Sequence, residues 1–219
     1  MESIVKILDM ADVTHDVKYF RLEKPSDYSF TPGQATELSI HEAAWEQEKR
    51  PFTFTSLIES PWLEFTIKRY PDHHGVTDQL HYLHPGDELI LREPWGAISY
   101  QGPGYFIAGG AGITPFIAIL RQLYHEGTLS GSRLFFSNKT SGDIIYRQEL
   151  EKMLGDAAVF VLTQERSPWA GRINEGFLSK QSVDFSKPFY ICGPDPMILE
   201  INSILQRKGA KPESLVFEK

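Results

Sequence analysis

Along the first hundred positions, apolar residues come in short runs that alternate with polar ones. Leu63, Phe65 and Ile67 interleave with Glu64, Thr66 and Lys68, a period of two that predicts a strand with one face buried. Tyr19–Glu23, Ala35–Ile40, Arg50–Leu57 and Glu88–Arg92 read as further strands. Pro32-Gly33, Pro71-Asp72 and Pro85-Gly86-Asp87 supply turns between the runs. Strands this dense predict an antiparallel Greek-key β-barrel, with one short helix over Thr77–Leu83 that Thr77 caps.

The rhythm changes after Gln101-Gly102-Pro103-Gly104, which divides the chain into a barrel domain over 1–101 and a second domain over 102–219. Apolar strands at Tyr105–Ala108, Leu134–Phe136, Val159–Leu162, Phe189–Ile191 and Leu215–Phe217 begin roughly 25–30 residues apart, the length of one βαβ unit. Phe116, Ile119, Leu120 and Leu123 share one helix face; so do Ile198, Ile201, Ile204 and Leu205 after Pro194 and Pro196. This pattern predicts an α/β domain, a parallel sheet with helices on both faces. The charged run Gln148–Lys152 reads as a solvated helix face.

Composition narrows the picture. The single cysteine, Cys192, excludes an internal disulfide and a four-cysteine metal or iron–sulfur site, and fits a reducing, cytoplasmic setting. No Asp, Glu, Lys or Arg occurs between Glu93 and Arg121. That stretch holds three prolines and six glycines, which would break a spanning helix, so no membrane insertion is expected. The N-terminal MESIVKILDM is acidic early and has no long apolar core, unlike a secretory signal. The net charge of −7 divides into −8 over 1–102 and +1 over 103–219, which argues against nucleic acid as a partner and leaves the second half open to an anionic cofactor.

Ligands of an open parallel sheet bind beyond the carboxyl ends of its strands. Four segments stand there: Gly109–Pro115, Ser137–Thr140, Thr163–Arg166 and Cys192–Met197. In the first, small residues open a helix directly after a strand, a geometry that suits a pyrophosphate or tight packing alone. In the first half, Arg50-Pro51-Phe52-Thr53 puts a cation, a ring and a hydroxyl on one strand. Gly75-Val76-Thr77 stands at a helix start and reads as a phosphate cradle or an ordinary cap. His73, His74, His81 and His84 cluster near that helix, but no carboxylate or cysteine set completes a metal site with them.

Taken together these motifs resemble the ferredoxin–NADP⁺ reductase family of flavoenzymes. Arg50-Pro51-Phe52-Thr53 matches the family's Arg-x-Tyr-Ser/Thr flavin motif, with Phe for Tyr, and Gly75-Val76-Thr77 matches its flavin-pyrophosphate motif. Gly110-Ala111-Gly112-Ile113-Thr114-Pro115 and Cys192-Gly193-Pro194-Asp195-Pro196-Met197 match its nicotinamide motifs. The four stand in the family's order over nearly the whole chain. The resemblance implies an FAD-binding barrel followed by an NAD(P)-binding domain, with FAD and either NADPH or NADH as cofactors. Arg50 would pair with the FAD pyrophosphate, Phe52 would pack on the flavin, and Thr53 would hydrogen-bond the hydride-accepting nitrogen. The backbone of Ile67 and Lys68 would follow the ring edge, and Cys192 would sit beside the nicotinamide. Glu218 suits the family's C-terminal Glu. The aromatic ring that often follows it is missing before Lys219, and Phe217 has the wrong parity, so one flavin face is expected to be more open.

The 2′-phosphate of NADPH needs basic or hydroxyl partners after the second or third strand. Lys139 and Arg166, helped by Asn138 and Thr140, are the candidates and tilt the expectation to NADPH. Gln164 stands where related NADPH enzymes carry Arg, and Glu165 would oppose a phosphate. The expected activity is hydride transfer from NAD(P)H to FAD and single-electron delivery to ferredoxin, flavodoxin or another redox protein. One alternative is an NADH-dependent reductase of an oxygenase, free flavin or quinone. A second, of another class, is a non-catalytic redox-sensing or docking module.

Overall fold

The computed structural model describes residues 2–96, 98–211 and 215–217. The first half forms a six-stranded antiparallel sheet from β1 (Ser3–Thr14), β2 (Val17–Glu23), β3 (Ala35–Ile40), β4 (Arg50–Thr53), β5 (Trp62–Lys68) and β6 (Glu88–Leu91). Its order is β4-β3-β6-β1-β2-β5. The sheet curls until its two end strands meet, but no ladder closes it. One isolated bridge, Phe54 to Phe65, and the Thr55 N–H to Glu64 carbonyl bond at 2.7 Å join the ends. Alternate residues of the strands, among them Val5, Phe20, Leu22, Leu38, Phe65 and Leu89, fill one core with Phe54, and Phe52 of β4 packs against it.

Two expectations are corrected, and one strand goes beyond them. The longest strand, β1, is not announced by the sequence pattern, because apolar Ile4 and Leu8 stand on the exposed face opposite buried Val5 and Ile7, and a register shift follows Ile7. The strand beginning at Arg50 ends at Thr53 rather than Leu57. The short helix α1 covers Val76–Gln79, Gly75 and not Thr77 is its N-cap, and a 3₁₀ turn continues over Leu80–Tyr82.

The second half is a five-stranded parallel sheet of β7 (Tyr105–Gly109), β8 (Arg133–Asn138), β9 (Ala158–Leu162), β10 (Phe189–Cys192) and β11 (Leu215–Phe217), ordered β11-β10-β7-β8-β9. Helices α2 (Thr114–His125) and α3 (Arg147–Leu154) cover one face, and α4 (Glu175–Lys180) and α5 (Asp195–Arg207) the other. Successive strand residues point to opposite faces. Phe106, Ala108, Leu134 and Phe136 therefore pack under α2, and Ile107, Phe135, Phe189 and Ile191 pack under α5. The order reverses between β7 and β10, and there the crevice of such a sheet opens.

The two halves share a boundary. Val17 of β2, together with Ile98 and Tyr100, packs into the core beneath α2. Gly33 (φ +93°) lies so close to the Ile98 carbonyl that a β-carbon would sit 2.3 Å from it.

Candidate active site

A cleft of about 910 Å³ runs from the barrel to the switch point of the parallel sheet. On the barrel side it is lined by His15, Asp16, Lys68 and Tyr70. On the other side stand Gly110, Gly112, Thr114, Lys139, Cys192, Gly193, Pro194 and Met197. The Lys68 ammonium meets Asp16 at 2.8 Å. Burial opposes ionisation of Asp16, but Lys68 and the Thr14 hydroxyl outweigh it and hold its carboxyl below the usual carboxylate range.

The glycines of Gly109–Pro115 divide their roles. A β-carbon on Gly112 would lie 2.4 Å from the Cys192 carbonyl oxygen and 2.6 Å from the Gly193 nitrogen, so Gly112 is the contact between the two motifs. A β-carbon on Gly109 would lie 2.8 Å from Met197 Sδ and 3.0 Å from Pro194 Cδ. Gly110 faces open space and holds a left-handed φ of +53°, which favours glycine. Thr114 donates its hydroxyl to the Ala111 carbonyl at 3.0 Å, and Pro115 lies in the first turn of α2. Across the crevice, Pro194 caps α5 and Asp195 starts it. Cys192 is buried at the tip of β10.

On β4 the Thr53 hydroxyl is buried with no hydrogen-bond partner. An unpaired buried hydroxyl is unfavourable, and a polar ligand atom would satisfy it. Phe52 is half-buried against the barrel core, while Arg50 is exposed and donates to the Lys49 carbonyl at 2.7 Å. A ring, a hydroxyl in need of a partner and an exposed cation in one strand fit a flavin with its pyrophosphate. Gly75 is extended and makes no side-chain cap to α1.

His81, unlike its neighbours in sequence His73, His74 and His84, lies under β5. Its Nε2 lies 3.0 Å from the Ile67 carbonyl, and Lys18 donates to its own carbonyl at 3.2 Å. Burial lowers its pKa, against the opposing pull of the Ile67 bond. A histidine whose folded pKa lies below its unfolded value contributes stability that is complete above the unfolded value, about pH 6.5, and is lost as the pH falls from there through the lower folded value. We expect the melting temperature to drop between pH 7 and 5, and His81→Gln to flatten that slope. Equal slopes in the two proteins would show that the acid loss arises elsewhere. Among the described residues no group of three His, Cys, Asp or Glu side chains is placed to hold a metal ion. Among them, too, no helix is long and apolar enough to cross a membrane.

Not every predicted residue reaches the cleft. Its lining includes none of Arg50, Pro51, Phe52, Thr53, Ile67, Gly75, Val76, Thr77, Pro115, Arg166 and Asp195, whereas it includes Arg172, which sequence patterning did not single out. Its neighbours Gly171 and Ile173 carry no charge to form a basic cluster, so only the turn after β9 reveals it. Glu165 accepts from the Ser141 N–H at 2.7 Å and from its hydroxyl at 3.1 Å, bonds that keep its carboxyl below the ordinary range. The Asn138 side-chain amide is buried at the cleft wall with no partner. Glu218 lies outside the described residues, and the Phe217 side chain is not described.

The triplet on β4 suits a flavin, and the cleft that runs from Lys68 of the barrel to the glycine crevice suits a nucleotide coenzyme. Residues 5–100 match the oxidoreductase FAD-binding domain family, and residues 106–202 match the oxidoreductase NAD-binding domain family. The chain thus carries an oxidoreductase FAD-binding domain followed by an oxidoreductase NAD-binding domain. It is 26% identical to the reductase component of propane 2-monooxygenase from Rhodococcus jostii, over 98% of this chain and 62% of that protein. It is 28% identical to NADH–cytochrome b5 reductase 1 of Arabidopsis thaliana, over 95% of this chain and 80% of that one. The fold superposes on a ferredoxin NADP⁺ reductase from Neisseria gonorrhoeae with bound FAD and NADP at a TM-score of 0.80, with 20% identity over 99% and 98% of the two chains. The chain thus spans little more than three fifths of the monooxygenase reductase it matches.

Proposed function

We propose that this protein takes hydride from NADPH onto FAD and passes electrons singly to a small redox protein, ferredoxin or flavodoxin. The cleft that brings both coenzyme motifs against Lys68, at the end of the strand expected to border the flavin, carries this reading. Bound FAD would accept two electrons together and release them one at a time. Arg50 would hold its pyrophosphate together with Gly75, Val76 and Thr77. Thr53 would orient the ring, with the backbone of Ile67 and Lys68 along its edge. Gly110, Gly112, Gly193 and Cys192 would let the nicotinamide approach to roughly 3–3.5 Å, the separation hydride transfer needs.

Two cleft cations, Lys139 and Arg172, support NADPH over NADH; in the cleft Arg172 takes the place given to Arg166. The carboxylate expected to oppose a 2′-phosphate, Glu165, is occupied by Ser141. Arg172→Ala is expected to raise the half-saturating NADPH concentration about tenfold while leaving NADH within twofold, since a charge-assisted contact to phosphate contributes about 1.5–3 kcal/mol. Equal effects on both coenzymes would place Arg172 away from the 2′-phosphate.

A second reading, an NADH-dependent reductase component of an oxygenase, is favoured by the likeness to the propane monooxygenase reductase. An anaerobic absorbance titration of the FAD-loaded protein separates the two. Bleaching preferentially by NADPH supports the first reading, and preference for NADH supports the second. A flavin that neither coenzyme bleaches leaves a non-catalytic redox-sensing or docking module.

A further inference from the structure

At Glu64 and Thr66 the polar face of β5 does not meet water. Glu64 and Thr66, which alternate with the barrel core residues, are 4% and 6% exposed, because α2 and α3 lie over them. Into this seam α2 sends Arg121, two helical turns beyond Thr114. Arg121 Nη1 donates to Glu64 Oε1 at 2.6 Å and to the Thr55 carbonyl at 2.6 Å. Its Nε and Nη2 grip both oxygens of Glu149 on α3, at 2.6 and 2.9 Å. Glu64 is completed by the Thr55 hydroxyl at 3.2 Å and by Arg21 of β2 at 3.1 Å. Tyr146 lies beneath the guanidinium, whose centre is 4.8 Å from its ring, and its hydroxyl meets Thr66 Oγ1 at 3.0 Å. Tyr146 adopts a left-handed backbone (φ 52°), which residues with a side chain avoid, and this conformation caps α3 while the ring lies in the seam.

One guanidinium therefore ties together four segments. Thr55 lies two residues beyond Thr53, the last residue of β4, and Glu64 stands on β5 three before Ile67, so both barrel partners adjoin the residues assigned to the flavin. Arg121 belongs to the helix that begins at the coenzyme loop. Apolar packing across the seam would hold the domains together, but it would fix their register poorly. A planar fork with acceptors on both sides fixes both distance and angle.

We propose that Arg121 is a positioning residue for hydride transfer, setting the register between the flavin strands and the coenzyme helix through Glu64, Thr55 and Glu149. This rests on the functional reading above. A displacement of about 1 Å at the reacting atoms is enough to slow such a step about 10²-fold.

The test is anaerobic stopped-flow reduction of the FAD-loaded protein, with rates expressed per bound flavin. In Arg121→Met the limiting rate is expected to fall at least tenfold while the half-saturating coenzyme concentration changes less than threefold. Arg121→Lys is expected to recover only part of the rate, because an ammonium cannot reproduce the fork. Tyr146→Phe keeps the ring, loses the Thr66 bond and is expected to slow reduction severalfold. A limiting rate within twofold of wild type in Arg121→Met, even with a lowered melting temperature, overturns the proposal. If Arg121→Met does not fold, an unchanged limiting rate in Tyr146→Phe overturns it instead. A wild-type flavin that neither coenzyme bleaches defeats the functional reading itself, an outcome seen before any variant is made.

Discussion

Gly112→Ala is expected to slow coenzyme-dependent reduction of the flavin about 10²-fold. The added β-carbon would stand 2.4 Å from the Cys192 oxygen, 2.5 Å from its carbonyl carbon and 2.6 Å from the Gly193 nitrogen. All three are backbone atoms, so no side chain can swing aside, and the strand tip at Cys192 must retreat. Overpacking of this kind costs about 1–3 kcal/mol in stability. The larger loss is in rate, since Cys192 and Gly193 belong to the wall proposed for the nicotinamide and a shift of about 1 Å there is felt at the reacting atoms. Gly110→Ala is the contrast. Its β-carbon would meet nothing within 4 Å, and the left-handed φ alone would cost about 1–2 kcal/mol. It should therefore lower the melting temperature and, with its methyl in the open cleft, raise the half-saturating coenzyme concentration, while the strand tip at Cys192 stays in place. Stopped-flow reduction of the two variants side by side decides the matter. A Gly112→Ala rate within threefold of wild type would show that the seam between the motifs is not what positions the coenzyme.

Thr53→Val is expected to move two measurements in opposite directions. The hydroxyl is buried without a partner, so replacing it by a methyl of similar size removes an unfavourable group, worth about 1–3 kcal/mol, from the apoprotein. The apoprotein should melt no lower than wild type. In the FAD-loaded protein the same change removes the donor proposed for the flavin nitrogen. Loss of one preorganised donor at a reacting atom slows a reaction about 10²- to 10³-fold. A coupled loss of apoprotein stability would mean that the hydroxyl has a structural partner; an unchanged reduction rate would mean that it does not face the flavin.

The sequence alone determined the division into a strand-rich half and a βαβ half, because a pleated strand reads out every second residue and a crossover unit needs about 30 residues. It determined all five parallel strands, since strands buried on both faces are continuous apolar runs. It also located the two glycine- and proline-rich turns that line the cleft, because a tight strand-to-helix turn admits few residues. Glu64 and Thr66 read as the wet face of β5, and Gln148–Lys152 as a solvated helix face; only the tertiary structure turned the first into the floor of the domain seam and tied Glu149 to Arg121. It alone decided that Arg172 rather than Arg166 enters the cleft, and that Thr53 is left without a partner. Periodicity records which face of an element is polar, but whether that face meets water, a ligand or another domain depends on contacts far apart in the chain. Arg121 meets Glu64 across 57 residues.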